Sequence, residues 1–159
     1  MNRADRILYH PLFRALLAEI AALERERPFC GHGIEHLLDV ARLAQLYNLE
    51  EGLGADRELL SAAALLHDLG RAEQYRDGTP HEQAAAALAR PILTDCDFTD
   101  AEQERICAAI SAHRGAEGAE SDALSMLLHR ADKRCRPCFL CPSSEACYWP
   151  EEKRNRSIE

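Results

Sequence analysis

A single valine and three threonines, set against a large excess of alanine and leucine, leave this chain poor in the β-branched residues that favour strands. Alanine and leucine are strong helix formers, so the composition predicts an all-α fold. At 159 residues the chain has the length of one ordinary domain and can close a hydrophobic core without disulfide staples. Its longest apolar runs fall well short of a membrane span, and the amino-terminal segment is broken by Glu19, Glu24 and Glu26, so a soluble, cytoplasmic protein without a membrane partner is expected. A net charge of -8 argues against a broad surface for nucleic-acid polymers, which are held mainly by dispersed Lys and Arg. Small phosphorylated molecules remain open.

Helical periodicity places the polar residues. Over residues 12–26, Leu16, Ile20 and Leu23 mark an amphipathic packing helix that Pro28 brings to an end. From Gly33 to Leu49, the stripe Ile34, Leu37, Leu38, Ala41 is joined by a second, His36, Val40, Leu43, Tyr47. That helix should be central, with His36 pointing inward. The apolar run from Leu59 to Leu66 carries Leu60, Ala63 and Ala64 into His67 on a core-facing row, with Asp68 next and Gly70 as a helix stop. Adjacent helical residues diverge by about 100°, so His67 and Asp68 reach one ion only if it sits beside that helix end.

Thr79-Pro80-His81-Glu82 predicts a helix start with an N-cap, a proline at the first helical position and the Glu of a capping box. His81 then shares a row with Ala84, Ala85 and Leu88. A second capping box, Thr99-Asp100-Ala101-Glu102, opens a helix whose core row runs Ile106, Ala109, Ile110, His113. The last helix, from about Ser121, carries Leu124, Leu127, Leu128 and Ala131, with Asp132 at the margin of the same face. His36, His67, Asp68 and Asp132 are ligand types that Fe, Mn, Co, Ni and Zn prefer, and a buried carboxylate is costly unless paired or metal-bound. The plainer alternative is a set of packed histidines hydrogen-bonded to backbone and carboxylates.

The order His36, then His67-Asp68, then Asp132 within Ala131-Asp132-Lys133, resembles the signature of the HD-domain phosphohydrolase superfamily over about residues 30–134. The resemblance implies an HD-domain helical bundle of about six helices, and an ion that activates water against phosphate esters and anhydrides. It further implies one or two ions: where both are present, His36, His67 and Asp132 would hold one, His81 and His113 the other, with Asp68 bridging. Arg71 and Lys133 would hold phosphate oxygens. The stretch from Ala109 to Gly115 resembles HD-type symmetrical dinucleoside-tetraphosphate hydrolases, whereas Arg114 stands where cyclic-di-GMP-degrading relatives carry a second histidine. The expected function is hydrolysis of a small phosphorylated molecule, a nucleotide above all. The alternatives are an HD-type di-iron oxygenase, which shares the ligand order, and a metal- or redox-sensing module with a non-catalytic site.

Residues 135–159 form a cysteine-rich tail expected to pack on the domain of residues 1–134. Cys135, Cys138, Cys141 and Cys147 give C-x2-C-x2-C-x5-C, in which C-x2-C steps suit Zn and a run of three thiolates is similar to iron–sulfur ligation. The last spacing departs from the bacterial ferredoxin run. Cys30 lies six residues before His36, so Cys138, Cys141 and Cys147, with Cys30 or Cys135 as fourth ligand, are expected to hold Zn or an iron–sulfur cluster that pins the tail over the site. Cys96 and Cys107 read as core residues. His32 reads as a loop residue near the pocket mouth, His10 and His129 as surface residues, and Arg130, Lys133, Arg134 and Arg136 as a cationic run able to attract an anion.

Overall fold

The structure, a computed structural model, describes residues 1–115 and 122–158. Eight helices are described: α1 (Arg3–Ile7), α2 (Pro11–Leu23), α3 (Ile34–Glu50), α4 (Arg57–Leu66), α5 (Arg71–Asp77), α6 (His81–Asp95), α7 (Asp100–Ala112) and α8 (Ala123–Arg134). Two 3-10 turns follow, Cys138–Leu140 and Glu151–Lys153, and there is no strand among the described residues. The all-α expectation holds. Helices α1 and α5 add to the six segments that periodicity shows, being too short to carry a stripe.

The centre of the bundle is α4, not α3. Every α4 residue from Leu59 to Leu66 is buried except Ser61, and α1, α3, α6, α7 and α8 all pack on it. Asp56 starts it, its side chain accepting from the backbone N–H groups of Glu58 and Leu59. Each leucine fully buried there contributes about 1.5–3 kcal/mol. Helix α3 instead keeps a solvent face at Glu35, Asp39, Arg42 and Leu46, which the apolar count of its two stripes had masked.

Several local expectations shift. Helix α2 ends at Leu23, ahead of Pro28, because Glu24 leaves the helix as its C-cap and turns its carboxylate to His32 and Tyr75. The capping box at Thr79 does not form. The helix begins at His81 with Pro80 as N-cap and no side-chain cap, and the Thr79 N–H donates to Asp77 instead. The box at Thr99 does form, with Glu102 accepting from the Thr99 N–H at 2.8 Å. The expected start at Ser121 lies outside the described residues; α8 begins at Ala123, with Asp122 as N-cap.

Gly70 is not a left-handed helix stop. It is the N-cap of α5 at φ -79°, and a Cβ there would lie 2.2 Å from the His81 carbonyl oxygen. Only glycine lets the turn after α4 come this close to the first turn of α6. That contact places His81 beside Asp68.

The tail returns to the bundle. Asn155, buried, donates its Nδ2 hydrogens toward the carbonyls of Lys133, Arg134 and Arg136 at 2.8–3.1 Å. The first two are carbonyls that the end of α8 leaves without helical partners, and the third lies just past it.

Candidate metal centre

The end of α4 delivers His67 and Asp68, the start of α3 delivers His36, the start of α6 delivers His81, the end of α7 delivers His113, and the last turn of α8 delivers Asp132. All six are buried. Their donor atoms fall into two groups, His36/His67/Asp68/Asp132 and Asp68/His81/His113, with the atoms of each within 4.8 Å of one another. Asp68 belongs to both. Its Oδ2 lies 3.1 Å from His67 Nε2 and 3.3 Å from His36 Nε2, and its Oδ1 lies 3.2 Å from His81 Nε2. Asp132 Oδ1 lies 3.3 Å from His36 Nε2 and 3.6 Å from His67 Nε2.

The imidazoles are oriented by backbone carbonyls from their own helices. His67 Nδ1 sits 2.7 Å from the Ala64 oxygen and His113 Nδ1 sits 2.5 Å from the Ile110 oxygen, so Nδ1 carries the proton and Nε2 presents its lone pair inward. His67 Nε2 and Asp68 Oδ2 therefore meet as two acceptors, and neither is satisfied by a hydrogen bond. Such a pair needs a positive charge between it, which a divalent ion or a second imidazole proton supplies.

The electrostatics say the same. Burial opposes a charged His67, but the Asp68 and Asp132 carboxylates together outweigh it and lift the imidazole to about 10. Burial likewise opposes ionised Asp68 and Asp132. His67 and Arg71 nevertheless hold Asp68 well below the usual carboxylate range, and His36 beside it, with the charges of His67 and Lys133, does so for Asp132. Burial, reinforced by the His67 charge, pushes His113 down to about 3, and burial lowers His81. Two carboxylates with inward Nε2 atoms are a donor set that fits borderline divalent ions.

Around the centre, Arg71 Nε donates to Asp68 Oδ1 at 2.9 Å and its Nη1 to Gln74, and Lys133 Nζ donates to Asp132 Oδ2 at 2.6 Å. Arg130 is not part of this field; it pairs with Glu51 and stacks over the Tyr47 ring. His32, in the loop before α3, lines the pocket but is itself buried, held by Glu24 and the Tyr75 hydroxyl, its ring edge-on to His36. Burial lowers His32 to about 4. At Glu24, burial is outweighed by the hydrogen bonds from the His32 side chain, the Tyr75 hydroxyl and the His32 backbone together, which hold the carboxyl at about 2. No local pattern announces this trio, because Tyr75 comes from α5 and Glu24 from the end of α2. His10 caps α2, and His129 Nδ1 reaches the His113 carbonyl at 2.6 Å. Neither is a plain surface residue.

Arg136 links the tail to the centre. Its Nη1 donates to the Gly31 carbonyl at 2.7 Å and its Nη2 stands 3.1 Å from His36 Nε2. Cys135 also turns inward, its Sγ 3.4 Å from His36 Nδ1. Cys96 and Cys107 are buried in the core. Cys30, Cys138, Cys141 and Cys147 line a pocket of about 740 Å³ that reaches Asp132, His32 and Arg71.

Among the described residues, no helix is long and apolar enough to cross a membrane. An uncharacterized protein of Clostridium beijerinckii is 39% identical over 158 residues, covering 99% of both chains. Ribonuclease Y 1 of Pediococcus pentosaceus is 29% identical across 78% of this chain and 26% of its own length. Ribonuclease Y of Sulfurovum sp. is 31% identical across 70% and 20%. The chain thus spans about a quarter of those ribonucleases. A crystal structure described as a predicted HD superfamily hydrolase, from an uncultured Thermotogales bacterium, shares the fold at a TM-score of 0.65 and 22% identity, over 97% of this chain and 87% of that one. The HD domain family model matches residues 33–136, a span that holds His36, His67, Asp68, His81, His113 and Asp132, and the chain belongs to the HD domain family.

Proposed function

We propose that the protein is a metal-dependent phosphohydrolase whose substrate is a small phosphorylated molecule of the nucleotide class. The supporting observation is the character of the pocket beside the centre. Six arginines and two lysines line it against one acid, Asp132, on a chain whose net charge is -8. That concentration of cations attracts phosphate. Phe29, Tyr148 and Trp149 share the lining and offer faces on which a base can stack. A volume of about 740 Å³ is within the range of small-molecule sites.

His36, His67 and Asp132 would hold one ion, His81 and His113 another, with Asp68 between; Fe, Mn, Co, Ni and Zn all suit these donors. Bound there, the ions supply activation of water and neutralise charge on phosphoryl oxygens. The chain supplies the rest. Arg71 commits Nε to Asp68 and Nη1 to Gln74, which fixes its plane and leaves Nη2 for substrate oxygens. Lys133, held at Asp132, presents a second cation on the pocket side.

A second reading, cleavage of an RNA phosphodiester, is favoured by the relatives that carry the name ribonuclease Y. Phosphate release from nucleotides and cleavage of short end-labelled RNA, both measured with oxygen excluded, separate the two readings. Nucleotide turnover under those conditions, lost together with bound metal in Asp68→Ala, is the expected result. Oxygen consumption without phosphate release would instead support a di-iron oxygenase, and retained turnover in Asp68→Ala would overturn the assignment.

A further inference from the structure

We propose that Cys30, Cys138, Cys141 and Cys147 ligate an iron–sulfur cluster of the four-iron type at the rim of the pocket, separate from the His/Asp centre. The tail does not follow its path because of a core of its own. Beyond α8 it has only two three-residue 3-10 turns, and Phe139, Leu140 and Tyr148 are 43%, 79% and 71% exposed. A segment that buries so little apolar surface needs a staple. Its cysteines form no disulfide.

Its path is nevertheless tied to one short loop far away in the sequence. Ser143 Oγ donates to the Pro28 carbonyl, Tyr148 sets its ring against Phe29 at 6.1 Å, Arg136 donates to Gly31, and Arg27 Nε donates to the Cys30 carbonyl at 3.3 Å. These contacts bracket Cys30 on both sides. They bring its thiol to the wall of the pocket that Cys138, Cys141 and Cys147 line. Burial raises the Cys30 thiol, Arg136 opposes the rise, and Cys141, Cys138 and Cys147 add to it, so Cys30 lies within electrostatic reach of each of the three tail thiols. Cys135 is the cysteine left out, because its Sγ is engaged by His36 Nδ1 and the Asp132 carbonyl, each at 3.4 Å.

Spacing selects the centre. One tetrahedral Zn at about 2.3 Å from each sulfur would hold the sulfurs about 3.8 Å apart. Among the described residues, the groups of three or more donor atoms gathered within 4.8 Å are both in the His/Asp centre, so the four thiols stand wider than one ion draws them. A four-iron cluster, with its inorganic core between the ligands, holds the cysteine sulfurs farther apart than a single ion does. Arg136 is the cation placed to offset the cluster's negative charge. The same Arg136 also stands over His36.

The experiment is iron and acid-labile sulfide analysis, with visible absorption, on the full chain purified without oxygen. About four sulfides per chain and a broad visible band are expected. Both should be lost in Cys30→Ser and in Cys147→Ser, and kept in Cys135→Ser. Sulfide should also survive in Asp68→Ala, since the His/Asp centre contains none; this keeps the inference independent of the hydrolase reading. Far-UV circular dichroism checks that each variant keeps its helices. If Cys30→Ser does not fold, Cys147→Ser and reconstitution of the wild type with iron and sulfide carry the test. A colourless, sulfide-free protein after reconstitution, Zn in place of iron, or sulfide lost in Cys135→Ser but kept in Cys30→Ser would each overturn the proposal.

Discussion

His81 Nε2 and His113 Nε2 stand 3.2 Å apart inside the bundle, each ring closed off from solvent, with Asp68 Oδ1 3.2 Å from the first. The pair comes from the start of α6 and the end of α7, and it gives the centre its second group of donors. His113→Ala should therefore remove the ion of that group and leave the one at His36, His67 and Asp132. Metal analysis per chain reads the difference. Turnover should fall by at least the roughly 100-fold that outer-shell changes at metal sites reach. Loss of all metal in this variant would mean that the groups do not load separately.

Gly70→Ala tests the contact that sets His81 in place. The added Cβ would lie 2.2 Å from the His81 carbonyl oxygen and 2.6 Å from the Ala85 nitrogen, both backbone atoms that cannot swing away. Overpacking of this kind costs about 1–3 kcal/mol, and the upper end is expected here. The melting temperature should drop by roughly 5–10 °C, with weaker metal retention because His81 moves with its backbone. An unchanged melt would show that the turn relaxes freely.

Glu24 and His32 set an acid limit on stability. Glu24 is held at about 2 in the fold against an ordinary 4.5, so the stability it contributes is complete above pH 4.5 and is lost as pH falls toward 2. His32 is lowered from 6.5 to about 4, so the fold disfavours its protonation and stability also declines between pH 6.5 and 4. Thermal melts of wild type and Glu24→Gln should differ most above pH 4.5 and converge at lower pH. A constant gap across that range would rule out this linkage.

Arg136→Ala should weaken substrate binding more than turnover. The side chain bridges Gly31 and His36 at the pocket wall, and one charge-assisted hydrogen bond is worth about 1.5–3 kcal/mol. KM is expected to rise about 10- to 100-fold with a smaller change in kcat, measured on the metal-loaded protein. An unchanged KM would place Arg136 outside the substrate's reach.

The six residues of the His/Asp centre were legible because each belongs to a local pattern. His36, His67 and His113 fall on apolar rows of period 3.6, His81 opens a helix, and Asp68 and Asp132 adjoin buried faces. Periodicity reports which way a side chain faces, and inward-facing imidazoles and acids on separate helices have few places to go but a shared interior. Other features were hidden. The glycine at position 70 looked like a stop until α6 was seen lying against it, and the apolar stripes of α3 did not reveal that α4 holds the centre.

The chain's order of residue types thus determined an all-helical bundle with histidines and aspartates turned inward, because helix propensity and amphipathic period act over a few neighbouring residues. Tertiary structure alone decided that Glu24 answers His32 and Tyr75, that Arg136 reaches His36 across 100 residues, and that Cys30 rather than Cys135 lines the pocket with three cysteines of the tail. Those pairings depend on how helices and loops distant in sequence pack around α4, and packing is set by the volume and shape of the whole core rather than by any local run of residues.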